Sequence, residues 1–301
     1  MTDVNPYASG LYDESVTPVI LPSARALSAY EQSLDALIDK ETIEVLIPTS
    51  DYDVAAVLEL LDRGWDPPVR LFRPSLATQK TLSNKAAFAR HLRRGGFPVP
   101  RTWESPEEAK LPVVVKPAQE GGGKGVYIAF TQSELADAVS QVSGRYSDGF
   151  VIQEYIPGGV GSTYMSLLLY DQTGNLIFDV VMRSSLTFFT WGAGGNAGSI
   201  VNRPDIGLMS KRIIELAGGW SGPICVEYRC EPVSQKIFPM EANCRLNGYS
   251  YLVTMNGVNL PRLMVDILLD RPTAGHPRTI TEGRTNFVLG FRERIVKDRF
   301  V

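Results

Sequence analysis

Lys116 closes an apolar run, Val113-Val114-Val115, and is followed by Gly121, Gly122, Gly123 and Gly125. An ammonium at the end of an apolar strand must either reach water or meet an anion, and glycines let backbone N–H groups approach a ligand closely. With Glu120 and Lys124 among them, these residues describe a flexible hairpin that grips phosphate. An ordinary glycine-rich β-turn with a lysine at the sheet rim is the plainer alternative. Two familiar phosphate loops do not fit. A Walker loop needs Ser or Thr after its lysine, where this chain has Gly125, and the dinucleotide fingerprint needs a helix where Val126 begins a strand signal.

The second constellation is Met240-Glu241-Ala242-Asn243-Cys244-Arg245. Alternate side chains of a strand share a face, so Glu241, Asn243 and Arg245 project one way while Met240, Ala242 and Cys244 enter the core. A carboxylate and an amide oxygen at that spacing suit hard, oxygen-seeking Mg²⁺, and the guanidinium beyond them suits a phosphoryl or carboxylate oxygen. Glu227, on the preceding strand of a hairpin, can lie opposite and supply a third ligand. Zinc would ask for nitrogen or sulfur, which this face lacks. A half-solvated strand with an ordinary salt bridge is the alternative.

Two other stretches bear on a site. The strand signal from Phe150 to Ile156, with Glu154 and Tyr155 at its end, could present backbone groups to the edge of a purine, or could simply connect two lobes. Gly192 to Gly198 is glycine-rich without a flanking strand and helix, and reads as a loop near the site or as an ordinary exposed connection.

These residues sit on a chain of two textures. Up to residue 80, apolar runs at Thr17 to Pro22 and Ile43 to Pro48 alternate with helical spacing over Ala24 to Lys40 and Val54 to Leu61, an order that predicts a short parallel α/β segment. A further strand signal ends at Pro74. Ser83 reads as the N-cap of a helix bearing Phe88, Ala89 and Leu92, stopped by Gly95-Gly96. Beyond it strands come in pairs, Val113 to Lys116 with Val126 to Phe130, Tyr164 to Tyr170 with Leu176 to Met182, and Cys225 to Cys230 with Lys236 to Arg245. Helical patterns over Ser133 to Val142, Ile206 to Ala217 and Leu260 to Leu269 fall between and after them, so this part reads as α+β with antiparallel sheets.

Composition bounds the function. The 301 residues include 30 basic and 33 acidic side chains, are 44% hydrophobic, and contain no apolar run of the ~20 residues that a membrane span needs. A net charge of −3 gives no general attraction to nucleic acid or anionic lipid, so neither is an expected partner. Cys225, Cys230 and Cys244 are too few for a disulfide framework, and Met1 to Pro6 lacks a basic or apolar stretch; both features suit the cytoplasm.

Taken in order, the motifs resemble the ATP-grasp superfamily, and within it the carbamoyl-phosphate-synthetase-like carboxylate–amine ligases. The resemblance rests on Asn84-Lys85, Gly96 to Thr102, Val115-Lys116-Pro117, Glu120 to Gly125, Glu154 to Gly158, Glu227, and Glu241 to Arg245, between about Thr81 and Leu269. It implies a two-lobed ATP-grasp fold of the α+β class. A partial α/β domain would span 1–80, an N-terminal lobe with its glycine-rich lid 81–156, and a C-terminal lobe with the metal site 157–301. It further implies that Lys85, Lys116, Glu120, Gly121, Gly122, Gly123, Lys124 and Gly125 hold the phosphates of ATP, and that Glu154, Tyr155 and Ile156 hold its adenine. Glu227, Glu241 and Asn243 would bind two Mg²⁺ ions, for which Mn²⁺ is an acceptable substitute.

By the same resemblance Arg245 and Arg183 would be catalytic, facing the transferring phosphoryl group and the acceptor carboxylate. The implied reaction joins a small-molecule carboxylate to an amine through an acyl phosphate and releases ADP and phosphate, in an enzyme that could act as a homodimer. An ATP-binding module without ligase activity and a small-molecule kinase are the alternatives. Two departures stand out: no acidic residue follows the linker at Gly159 to Tyr164 to hold a ribose, and the leading α/β domain is short.

Overall fold

The computed structural model describes residues 1–159, 161–187, 195–283 and 286–288. The chain divides into two compact units, Met1–Leu71 and a larger one from Phe72 onward.

In the first unit β1 (Thr2–Asp3) and β2 (Val19–Ile20) pair in parallel, and α1 (Leu27–Glu41) and α2 (Asp51–Asp62) follow. Ser50 caps α2 by accepting from the Asp53 N–H. Tyr30, Leu34 and Ile38 recur along one face of α1 and bury against Val57 and Leu60 of α2, with Leu21, Val69 and Leu71 closing the core. The run from Ile43 to Pro48 does not become the expected strand and makes only one parallel bridge, Val45 to Arg70. Pro48, Pro67 and Pro68 lack the N–H donors that would extend that ladder.

The second unit begins with α3 (Leu76–Ser83) and α4 (Lys85–Arg94), then β3 (Thr102–Trp103), β4 (Val113–Pro117), β5 (Tyr127–Ala129), α5 (Gln132–Arg145) and β6 (Phe150–Glu154). It continues with β7 (Thr163–Tyr170), β8 (Leu176–Thr187), β9 (Gly195–Ile200), α6 (Pro204–Leu216), β10 (Gly222–Cys230) and β11 (Ile237–Asn243). The described part ends with α7 (Ser250–Met255), α8 (Leu260–Leu268), β12 (Thr279–Ile280) and β13 (Phe287–Val288). The break between units falls at residue 71 rather than 80 because α3 packs on α4 and β11.

The smaller sheet has the antiparallel order β3-β6-β4-β5. Thr131 and Glu134 form a reciprocal cap that starts α5. Leu135, Ala138 and Val142 of that helix bury against Val113, Val115 and Ile152. Strand alternation then sends Val114, Lys116 and Gln153 to the opposite face. The larger sheet runs β11-β10-β7-β8-β9-β13, with β12 beside β8. On one face Tyr228 of β10 lies in register with Tyr164 and, through it, Arg183, and its hydroxyl is 2.5 Å from Ser210 of α6 in the core. Glu227, in register with Met165 and Met182, belongs to the other face.

Three local expectations change. Asn84, not Ser83, caps α4, because its amide oxygen accepts from both Ala86 N and Ala87 N while Ser83 ends α3. Part of the Gly192 to Gly198 stretch, from Gly195, is strand β9 paired with β8 and β13, whose ladder overrides the local glycine preference; its residues 192–194 lie outside the described residues. Met240 does not enter the core. The register slips between Glu227 and Tyr228, and this bulge turns Met240 toward the same pocket as Glu241.

Candidate functional site

Asn84 fixes the first turn of α4, and Lys85 is its first residue. The Lys85 side chain is buried, its ammonium donates to the Glu120 carbonyl, and it pairs with Glu241 Oε2 at 3.1 Å. One lysine therefore ties the glycine hairpin to the carboxylate strand. Lys116 reaches the same space from β4 and is 6% exposed. Burial first, and then the neighbouring Lys85, lower its ammonium to about 8. Burial alone would raise the Glu241 carboxyl, but Lys85 and Lys116 outweigh it and hold Glu241 below its usual range.

The hairpin between β4 and β5 depends on its glycines. Gly125 has φ +68°, and a Cβ there would stand 2.6 Å from the Tyr146 ring and 2.8 Å from Pro117, so neither the conformation nor the space admits a side chain. Glu120 and Gly123 reach the pocket wall. Gly121, Gly122, Lys124 and Gly125 shape the turn, with Lys124 exposed.

Glu227 and Glu241 face each other across the β10–β11 ladder, and Asn243 is in register with Cys225. Asn243 Nδ2 donates to Glu227 Oε1 at 3.0 Å, and Arg245 Nη2 donates to Asn243 Oδ1 at 3.4 Å. Among the described residues no group of three or more His, Cys, Asp or Glu gathers as a metal site, so the donor set is two carboxylates and one amide oxygen. That set is all oxygen, on neighbouring strand positions, and fits a hard divalent cation such as Mg²⁺ rather than zinc.

One pocket collects most of the expected residues: Lys85, Lys116, Glu120, Gly123, Glu154, Tyr155, Ile156, Glu227 and Glu241 all line it. Glu154 is exposed and accepts from the Arg101 N–H at 3.1 Å, while the Tyr155 ring meets Phe130 edge-on with centroids 6.0 Å apart. Arg183 is not brought there. Its side chain is exposed on the other face of the large sheet, where Nε donates to the Gly161 carbonyl at 2.7 Å. Sequence reasoning missed Gln153 and Arg229, which line the same pocket. Two-residue steps from Lys116's partner strand and from Glu227 would have found them. Burial pushes the Arg229 guanidinium down.

Residues 82–179 match the family model for the ATP-grasp domain. Biotin carboxylase from Campylobacter jejuni, solved with β,γ-ATP, superposes with a TM-score of 0.68 at 17% identity over 86% of this chain and 62% of that one. Over residues 82–179 the chain is similar to ATP-grasp domains. The L-amino acid ligase from Bacillus licheniformis is similar in fold as well, with a TM-score of 0.63 at 16% identity over 83% of this chain and 62% of that one. Among curated proteins, the 5-formaminoimidazole-4-carboxamide-1-(beta)-D-ribofuranosyl 5'-monophosphate synthetase of Caldivirga maquilingensis is 29% identical over 135 residues, 44% of this chain. The match spans about a third of that relative's length, 36%. Among the described residues no helix is long and apolar enough to cross a membrane.

Proposed function

We propose that the protein is an ADP-forming ligase that uses ATP to join a small-molecule carboxylate to an amine. The observation that carries this reading is the convergence of Lys85, Lys116, Glu227 and Glu241 on one pocket beneath a glycine hairpin. A carboxylate is a poor electrophile and repels a triphosphate. Lys85 and Lys116 would offset the phosphate charge, and Arg245 would neutralise the acceptor carboxylate. Glu227, Glu241 and Asn243 would hold two Mg²⁺ ions, which supply charge neutralisation at the phosphoryl oxygens.

With the carboxylate so placed, its oxygen takes the terminal phosphoryl group and ADP leaves. The amine nitrogen then attacks the acyl carbon of the acyl phosphate and phosphate departs, giving an amide. The glycine hairpin, closed over the phosphates, would keep water from that intermediate. Two similar proteins support the class of chemistry: the curated relative is a synthetase, and one solved neighbour is an amino acid ligase. The three free cysteines, all buried, suit the cytoplasm as its place of work.

The test is ADP release from purified protein with MgATP and a panel of carboxylates and amines offered singly and in pairs. ADP should form only with a competent pair, and K116A and E241A should abolish it. Turnover that persists in either variant, or a stable phosphorylated product in place of an amide, would overturn the assignment.

A further inference from the structure

Between Pro67 and Trp103 the chain carries eight Lys and Arg residues and no Asp or Glu, while the rest of it has 22 basic against 33 acidic residues. A positive block in a net-negative chain asks what it meets. Lys85 belongs to the pocket. Arg90, Arg93 and Arg94 are exposed on α4, and their guanidinium groups make no hydrogen bond or ion pair among the described residues. Like charges three and four residues apart repel along a helix, and the helix dipole offsets this only in the last turn, which Arg90 precedes.

Helix α6 extends the same face. His91 Nε2 donates to the Ile213 carbonyl at 3.0 Å, and the Arg212 guanidinium lies over the Phe97 ring at 5.6 Å. Leu216 packs so close to Gly95 that a Cβ there would stand 2.5 Å from its Cδ2. The end of α4 and helix α6 are therefore locked together before any partner arrives. Leu208 and Leu216 remain 60% and 53% exposed on either side of Arg212, about 12 Å apart along the helix. The one carboxylate in this stretch of α6 is Glu215, near Tyr170 of β7, whose hydroxyl is raised first by burial and then by that carboxylate. Four guanidinium groups outnumber it.

Two apolar anchors about 12 Å apart match one side of a helix, where residues two turns apart stand at that spacing. Carboxylates beside those residues would pair with the forked guanidinium groups. We propose that the face made by α4 and α6 docks an acidic amphipathic helix of a partner protein. A duplex nucleic acid fits less well, because such a site neutralises about six to ten phosphates and gives the leucines no role.

The experiment is fluorescence anisotropy of a labelled acidic peptide titrated with the full chain. The peptide is about 18 residues long, with leucine at positions i, i+4, i+7 and i+11 and glutamate or alanine elsewhere. It should bind at micromolar concentrations, and about tenfold more weakly when salt is raised to about 0.5 M. R90Q/R93Q/R94Q should weaken it about tenfold and flatten the salt dependence, whereas L208S should weaken it about fivefold and leave that slope unchanged. Circular-dichroism melts confirm that each variant is folded. No binding, equal binding of a peptide with scrambled leucines or with lysine for glutamate, or affinity unchanged in the folded variants would overturn the proposal. So would tighter binding of phosphatidylserine vesicles or of single-stranded oligodeoxythymidine, or dimerisation of the wild type that these substitutions abolish, because the face would then belong to a membrane, a nucleic acid or a second copy.

Discussion

Lys85 Nζ lies 3.1 Å from Glu241 Oε2: the ammonium that a triphosphate would attract and the carboxylate that a metal would attract hold each other. Both side chains are largely withdrawn from water, at 7% and 21% exposure, so neither would be stable there as a lone charge. The pair links the start of α4 to β11, and through the Glu120 carbonyl it also reaches the glycine hairpin. Nucleotide and cation must arrive together if each charge is to find a new partner.

Removing the lysine should therefore damage binding more than folding of the hairpin itself. K85M leaves Glu241 buried without its nearest cation and removes a charge-assisted contact to phosphate, so MgATP affinity should fall by about tenfold to a hundredfold. Calorimetry on the folded variant checks this; an affinity within twofold of the wild type would contradict it.

The pH dependence of stability should carry the mark of Lys116. Its folded ammonium titrates at about 8, against 10.5 for the ordinary group. Between those values the unfolded chain holds the extra proton, so this group makes stability rise with pH through that window. Below pH 8 the buried charge costs its full amount, about 3 kcal/mol. K116M lacks the effect. The stability difference between wild type and K116M, from denaturant melts of nucleotide-free protein at pH 7.5 to 10, should move toward the wild type as pH climbs. A flat difference would sink this reading.

Two glycines of the hairpin should respond differently to alanine. Gly122 and Gly125 both have positive φ, +67° and +68°, yet a Cβ at Gly122 meets open space while one at Gly125 meets Tyr146 and Pro117. G122A then bears only the left-handed backbone cost, about 1 kcal/mol. G125A adds a clash of the new Cβ with the Tyr146 ring just after α5 and with Pro117 of β4, and should lose about 2–4 kcal/mol in a denaturant melt together with nucleotide affinity. Equal losses would mean that the close approach at Gly125 relaxes freely.

Much of this arrangement is legible in the sequence because strand alternation is strict. Lys116 follows Val115 onto the face opposite α5, and Glu227 and Glu241 come to one pocket because β10 and β11 form a hairpin in register. What alternation misses is a register slip. The bulge beside Glu227 turns Met240 into the pocket against the two-residue rule. Helix α3 was hidden because Ser75 and Asn84 are both caps and the segment between them carries few apolar residues. Gln153 and Arg229 stand two residues from Val151 and Glu227, so alternation reaches them, but only the folded chain shows that Thr102 stands beside the one and Gly158 beside the other.

The two arginines expected to act together are separated by the large sheet, and this gives the sharpest discrimination. Arg245 follows the carboxylate strand and reaches Asn243 Oδ1. Arg183 shares a face with Tyr164 and Tyr228, on the side covered by α6, and stacks over the Tyr164 ring at 5.9 Å. A guanidinium on that side cannot neutralise charge that develops beside Glu227 and Glu241. R245A should lower kcat by about a hundredfold or more. R183A should leave kcat within a few-fold and change the melting behaviour little, since the side chain is exposed and, among the described residues, donates only to the Gly161 carbonyl. If R183A instead matched R245A in lost turnover with its fold intact, the face occupied by Arg183 would have to join the reacting groups, and the placement of the acceptor carboxylate beside Asn243 and Arg245 would be wrong.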